Sequence, residues 1–92
     1  MSVTTKELKE VKLDELLANK PELVLYNDDF NTFDFVIDAL ISICGHAMEQ
    51  AHQCTLLVHY KGQCGVKTGS KEQLKPLCKK LLDLGLTAKI VQ

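Results

Sequence analysis

The chain contains no arginine, although eleven of its 92 residues are lysine. Bidentate recognition of phosphates and guanine edges leans on the arginine fork. Its absence argues against nucleic-acid binding, and it also excludes an arginine-rich transit peptide. No apolar run approaches the roughly 18 residues of a membrane span. The N-terminal stretch MSVTTKELKEVKLDELL is charged and has no apolar core, so no secretory signal is read there and a reducing, cytoplasmic setting is expected. The four cysteines, Cys44, Cys54, Cys64 and Cys78, form no C-x-x-C pair. In a reducing compartment they read as small buried hydrophobes. There is no glycine-rich phosphate loop, no G-x-S-x-G and no H-E-x-x-H. Of the serines, Ser42 falls inside a helical pattern and Ser70 at a helix start, so neither reads as a nucleophile. Cys44, His46 and His52 lack a standard zinc spacing and read as ordinary core or surface residues. No cofactor, no metal and no catalysis are expected.

What remains is one small domain. Hydrophobic residues make up 46% and charged residues 25%, a globular balance in a length that holds a single core. The net charge of −1 is unevenly spread. Residues 1–50 carry four lysines against ten acids, and residues 51–92 seven lysines against two acids. Folding turns this asymmetry into an acidic and a basic patch, which can orient a protein partner. A monomer with neither membrane nor nucleic-acid affinity is expected.

Residues 1–20 are rich in lysine and acids and read as a flexible arm before a core domain over 21–92. After Pro21, ELVLY (22–26) is a run of strand formers that ends at the turn-favouring Asn27-Asp28-Asp29. Asn31 or Thr32 caps a helix over 33–44, whose apolar set Phe33, Val36, Ile37, Leu40, Ile41 and Cys44 keeps helical spacing. Gly45 stops it. A short helix over 46–53 and a strand over 54–60 follow, then a turn at 61–63 and a brief extended piece over 64–68. Ser70 and Gln73 form a capping box for a third helix carrying Leu74, Leu77, Cys78, Leu81 and Leu82. Pro76 should cost it a hydrogen bond or a bend. Gly85 ends it, and 86–91 is the last strand. The order β-α-α-β-α-β predicts an α+β two-layer sandwich. Its three-stranded, mainly antiparallel sheet has strand one in the middle and three helices on one face.

From spacing alone, the acidic loop and His59 are a solvated turn and a half-exposed histidine. A plain interaction domain using a helix face and a small enzyme or metal carrier both stay open at that point. The residues themselves then carry a resemblance. LYNDDFNTFDFV (25–36) resembles the L-x-N-D-D-x-T-P-M-E-F-V signature of the ClpS family, adaptors of the Clp ATP-dependent protease. LLVHYKG (56–62) and CGV (64–66) are similar to that family's L-x-V-H-x-x-G and C-G-V pieces. The resemblance covers about residues 22–91.

It implies a sandwich like the C-terminal domain of ribosomal protein L7/L12. It also implies an adaptor that binds proteins with Leu, Phe, Tyr or Trp as first residue, an N-degron, and passes them to a ClpA- or ClpC-type AAA+ unfoldase. Carried over position by position, it assigns Asn27, Asp28, Asp29 and His59 to the free α-amino group. Phe33, Val36, Thr55, Val58 and Leu86 are assigned to an apolar pocket, and Lys75 with Ser70 to unfoldase contact. An ammonium needs acceptors and negative potential, which an amide oxygen, two carboxylates and a neutral imidazole supply. The chain departs from the pattern at Asn31 (usually Thr), Thr32 (usually Pro), Phe33 (often Met), Thr55 (usually large and apolar) and Ser70 (often acidic).

Overall fold

Six elements build the domain in the computed structural model, which describes residues 20–92. They are β1 (Glu22–Tyr26), α1 (Phe33–Cys44), α2 (Met48–Lys61), β2 (Gln63–Thr68), α3 (Lys71–Asp83) and β3 (Thr87–Val91). The sheet order is β2-β1-β3, with β1 antiparallel to both neighbours. The ladders run from Tyr26 opposite Gln63 to Glu22 opposite Thr68 on one side, and from Tyr26 opposite Thr87 to Glu22 opposite Val91 on the other. This is the α+β topology expected from the element order. All but one residue of the expected arm lie outside the described residues.

The central strand is the most apolar, and Leu23 and Leu25 point into a core shared with Leu40, Leu74 and Leu81 from the helices. Each of these five is under 2% exposed. Helix α1 spans the interval its apolar spacing predicted. The Thr32 hydroxyl caps it by accepting the Phe35 N–H at 3.2 Å, and Gly45 closes it with a φ of 71°. Helix α3 has the expected reciprocal cap between Ser70 and Gln73. It continues through Pro76, and the Glu72 carbonyl that loses its donor lies on an exposed turn.

The middle of the chain differs from expectation. Residues 46–53 and 54–60 are not a short helix and a strand. They form one helix, α2, and the second strand is Gln63–Thr68, which takes in the brief extended piece expected over 64–68 and the last residue of the expected turn. The cause is visible in the burial. Ala51, Cys54, Thr55 and Val58 are buried at i, i+3, i+4 and i+7, while Leu57 and Tyr60 are exposed on the other side. Between Gly45 and Gly62 the sequence contains neither glycine nor proline, so nothing breaks the helix.

Strand β2 slips by one residue against β1 between Leu23 and Val24, which leaves Val66 without a partner across the ladder. Its side chain enters the core, and its carbonyl accepts a 2.7 Å hydrogen bond from Nε2 of the buried His46. That bond fixes the proton on Nε2.

Gly62 joins α2 to β2 at a φ of 90°. Its N–H donates to the Val58 carbonyl at 3.0 Å, and its carbonyl accepts the Asn27 N–H at 2.9 Å. A Cβ there would meet nothing within 4 Å. The cost of Gly62→Ala is thus conformational, about 1–2 kcal/mol for a left-handed residue. Chemical denaturation should show a lower midpoint with unchanged slope; an unchanged midpoint would contradict this account of the joint.

Candidate functional site

The end of β1, the start of α1, the end of α2 and the approach to β3 meet at one corner of the sandwich. They enclose an open cavity of about 280 Å³. Helix α2 contributes Thr55, Val58 and His59, spaced i, i+3, i+4 and so aligned along one stripe. Helix α1 contributes Phe33 and Val36, again one turn apart. Leu86 closes the side toward β3, and Asn27, Asp28 and Asp29 form the rim after β1. All nine residues assigned to an amine-and-pocket site thus line a single cavity. Lys75 and Ser70 do not; they lie on α3, where Lys75 is exposed and Ser70 caps the helix. Leu25, Tyr26, Asn31 and Thr32 also line the cavity. Their sequence context, a strand, a turn and a helix cap, carries no sign of this role.

The wall and the rim differ in character. Leu25, Val36, Thr55, Val58 and Leu86 are each less than 9% exposed and form a largely apolar floor. The Thr55 hydroxyl donates to the Ala51 carbonyl one turn back at 2.7 Å, so its proton is satisfied within the helix. Phe33 sits half open at the mouth, its ring edge-on to the imidazole of His59 at 5.0 Å between centroids and 71° between planes. His59 has a second edge contact with Tyr60, also at 5.0 Å. Such aromatic pairs contribute about 0.5–1.5 kcal/mol each, enough to bias the orientation of an exposed imidazole.

On the rim, Asp28 organises the loop. Its Oδ1 accepts the N–H of Phe30 at 2.9 Å and of Asn31 at 2.8 Å, and its Oδ2 accepts the Asn31 side-chain amide at 2.9 Å. The same amide nitrogen donates to the Gly85 carbonyl at 3.0 Å, tying the loop to the turn between α3 and β3. Partial burial pushes the Asp28 carboxyl up. The bonds from the Asn31 side chain, the Asn31 backbone and the Phe30 backbone together outweigh it, so the group sits below its ordinary value. The Asn27 side-chain amide, the Asp29 carboxylate and both ring nitrogens of His59 have no hydrogen-bond partner among the described residues. These free acceptors face a mouth whose charged lining residues are Asp28 and Asp29. The C-terminal end of α2, which carries partial negative charge, adds to the same sign. The N-terminus of α1 opposes it, but a helix end counts for half a charge, against two whole carboxylates.

Cys44, His46 and His52 do not converge: the first two are buried and the third is exposed. Among the described residues no three metal-ligating side chains come together. Burial raises the Cys44 thiol, against a smaller opposing effect of Lys67. It raises Cys54 much further, helped by the thiol of Cys64 beside it. Both stay protonated and unreactive.

The fold and the cleft define a small α+β binding domain, with an acidic, acceptor-rich rim above an apolar floor. A family model for "ATP-dependent Clp protease adaptor protein ClpS" matches residues 18–89. The ATP-dependent Clp protease adapter protein ClpS of Campylobacter jejuni (strain RM1221) is 36% identical, over 94% of this chain and 94% of that protein. The protein of the same name from Oleidesulfovibrio alaskensis is 38% identical, over 79% of this chain and 74% of that protein. Among solved structures, Agrobacterium tumefaciens ClpS2 bound to L-phenylalaninamide superposes with a TM-score of 0.71. It is 19% identical and covers 78% of this chain and 96% of that one. The chain belongs to the ClpS family of adaptor proteins of the ATP-dependent Clp protease.

The Asp28 carboxyl contributes stability that is present above its ordinary value of 3.8 and lost as pH falls through the lowered folded-state value. Asn31→Ala removes one of the three bonds and should move the Asp28 titration midpoint upward, as read by carboxyl carbon-13 NMR. A midpoint that stays put would mean that the Asn31 side chain does not hold the loop.

Proposed function

We propose that this adaptor binds proteins by their first residue, gripping a free α-amino group at the rim and a bulky apolar side chain in the cavity. The bound protein is passed to a ClpA- or ClpC-type AAA+ unfoldase for degradation in the cytoplasm. The observation that carries the reading is the meeting of Asn27, Asp29 and His59, all with free acceptors, at the mouth of one apolar cavity. An α-ammonium is a cation with three N–H donors and no acceptor. Asn27 Oδ1, the Asp29 carboxylate and a neutral His59 ring nitrogen satisfy it directly.

Asp28, also assigned to the amine, lines the same mouth while three hydrogen bonds from the loop engage its carboxylate. Most of its acceptor capacity holds the loop, and its charge acts mainly as field. A Leu, Phe, Tyr or Trp side chain below the ammonium then completes a wall made of Phe33, Val36, Thr55, Val58 and Leu86. Burying such a side chain is worth about 1.5–3 kcal/mol. The ligand named for the Agrobacterium tumefaciens protein, L-phenylalaninamide, has this pairing: a free amine beside a benzyl group.

Delivery uses a surface away from the cleft. Lys75 and Ser70 on α3 are the contact points for the unfoldase, on the basic part of the chain, so a bound substrate and the unfoldase need not compete for one site. The domain performs no chemistry on either partner. Its role is to raise the effective concentration of substrate at the unfoldase.

Peptides of one sequence, differing only in a free or acetylated α-amine, test the reading. Acetylation should abolish binding of a Leu- or Phe-starting peptide in a fluorescence-anisotropy titration. Asn27→Ala or His59→Ala should weaken the free-amine peptide at least roughly tenfold, the value of one charge-assisted hydrogen bond. Equal affinity for both peptides would refute the site and leave an interaction domain that uses another face.

A further inference from the structure

Among the described residues the buried polar side chains are Thr55 and His46, and Thr55 is the one that lines the cleft. The remaining buried wall, Leu25, Val36, Val58 and Leu86, is aliphatic. An aliphatic floor suits leucine or phenylalanine. It penalises a ring that ends in a hydroxyl or an N–H, because that donor gives up water and finds nothing in exchange.

The Thr55 hydroxyl changes this balance. Its single proton is already donated to the Ala51 carbonyl at 2.7 Å, so the oxygen is a pure acceptor toward anything else, with lone-pair capacity left. An apolar ring entering the cavity therefore strands no donor. A ring that ends in a donor gains a partner.

The position along the helix also fits. Thr55 lies four residues before His59, one helical turn or about 6 Å deeper along the α2 axis. That depth is comparable with the span from a tyrosine Cα to its hydroxyl oxygen. With the α-ammonium at the level of His59, the tip of an aromatic first residue reaches the level of Thr55.

We propose that Thr55 is a specificity-determining residue of the cleft. Its hydroxyl oxygen accepts a hydrogen bond from the ring tip of the first residue and selects aromatic residues that carry a donor there, tyrosine foremost and tryptophan through its indole N–H. The inference rests on the amine-and-pocket reading given above, and it adds a preference within the residues that the pocket admits.

The test uses the full chain and peptides that start with tyrosine, phenylalanine or 4-methylphenylalanine. The last has the length of tyrosine and no donor. On the unaltered protein the tyrosine peptide should bind roughly fivefold more tightly than the 4-methylphenylalanine peptide, the span of one neutral hydrogen bond. Thr55→Val, which keeps the shape and removes the oxygen, should bring that ratio to one or below, since an all-aliphatic floor penalises the tyrosine hydroxyl. Thr55→Ser should preserve it. The ratio is the readout, so changes in overall affinity or stability of the variants do not enter. Equal binding of the two peptides by the unaltered protein overturns the proposal even where Thr55→Val fails to fold, and so does a ratio that survives Thr55→Val. Binding of the phenylalanine peptide that persists after N-acetylation instead overturns the amine-and-pocket reading itself, which separates the two failures.

Discussion

The corner of the molecule that holds the cleft depends on one backbone hydrogen bond, from the N–H of Asn27 to the carbonyl of Gly62 at 2.9 Å. It joins the last residue of the central strand's exit to the residue that ends helix α2. Together with the pairing of Tyr26 and Gln63 beside it, this bond holds the loop that carries Asn27, Asp28 and Asp29 against the end of the helix that carries His59. The bond is available because Gly62 takes a positive φ. That conformation ends the helix and turns the chain straight into β2, beside β1. The rim of the cleft is thus set by the same joint that begins the strand pairing, and site geometry and sheet register are fixed together.

The loop then distributes its polar groups. Asp28 turns inward, and three N–H bonds to its carboxylate hold the loop as a tight turn, which Asn31 ties to Gly85 across the cleft. Asp29, Asn27 and His59 keep their acceptors free. A carboxylate that organises structure needs its charge countered by hydrogen bonds, and the lowered value of Asp28 reflects that. The two neighbouring aspartates are thus unlike: both line the mouth, but the carboxylate of Asp28 is engaged by three hydrogen bonds and that of Asp29 by none among the described residues.

Much of this was legible in the residues. Helix α1 was fixed by its apolar spacing between a Thr cap and a Gly stop, and α3 by its capping box. The sheet order followed from the element order and connection rules. The segment 54–60 was not legible by composition, because Thr55, Val58 and Tyr60 are residues that strands favour and they frame a continuous apolar run. Helical burial at Ala51, Cys54, Thr55 and Val58 and the absence of any breaker before Gly62 were the stronger signals. The misassignment left the topology unchanged, since the strand moved to 63–68 without altering the order. The site residues came from motif resemblance. Spacing alone could not join Asn27 to His59, because their meeting depends on the Gly62 joint and on α2 being a helix that places Thr55, Val58 and His59 on one stripe. Nor did the sequence suggest that Asn31 spans two elements, since a turn asparagine reads the same whether or not its amide reaches across a cleft.

The cleft is continuous with the core. Val36, Val58, Leu25 and Leu86 belong to the packed interior and to its wall at once. A packed interior is rigid because its side chains interlock, so a hole in one side of it inherits that rigidity without extra devices. The same continuity limits how the hole can be tuned. A change at Leu25 or Val36 alters the packing beneath the sheet as well as the ligand's surroundings, and its stability cost is that of a core substitution. Phe33 and Thr55 are freer. Phe33 is partly open at the mouth and touches His59 by its edge. The Thr55 hydroxyl is satisfied within its own helix, so the oxygen is not needed by a neighbouring element. Phe33 and Thr55 are thus lining positions whose side chains hold no other element in place, and a change at either leaves the rim hydrogen bonds as they are.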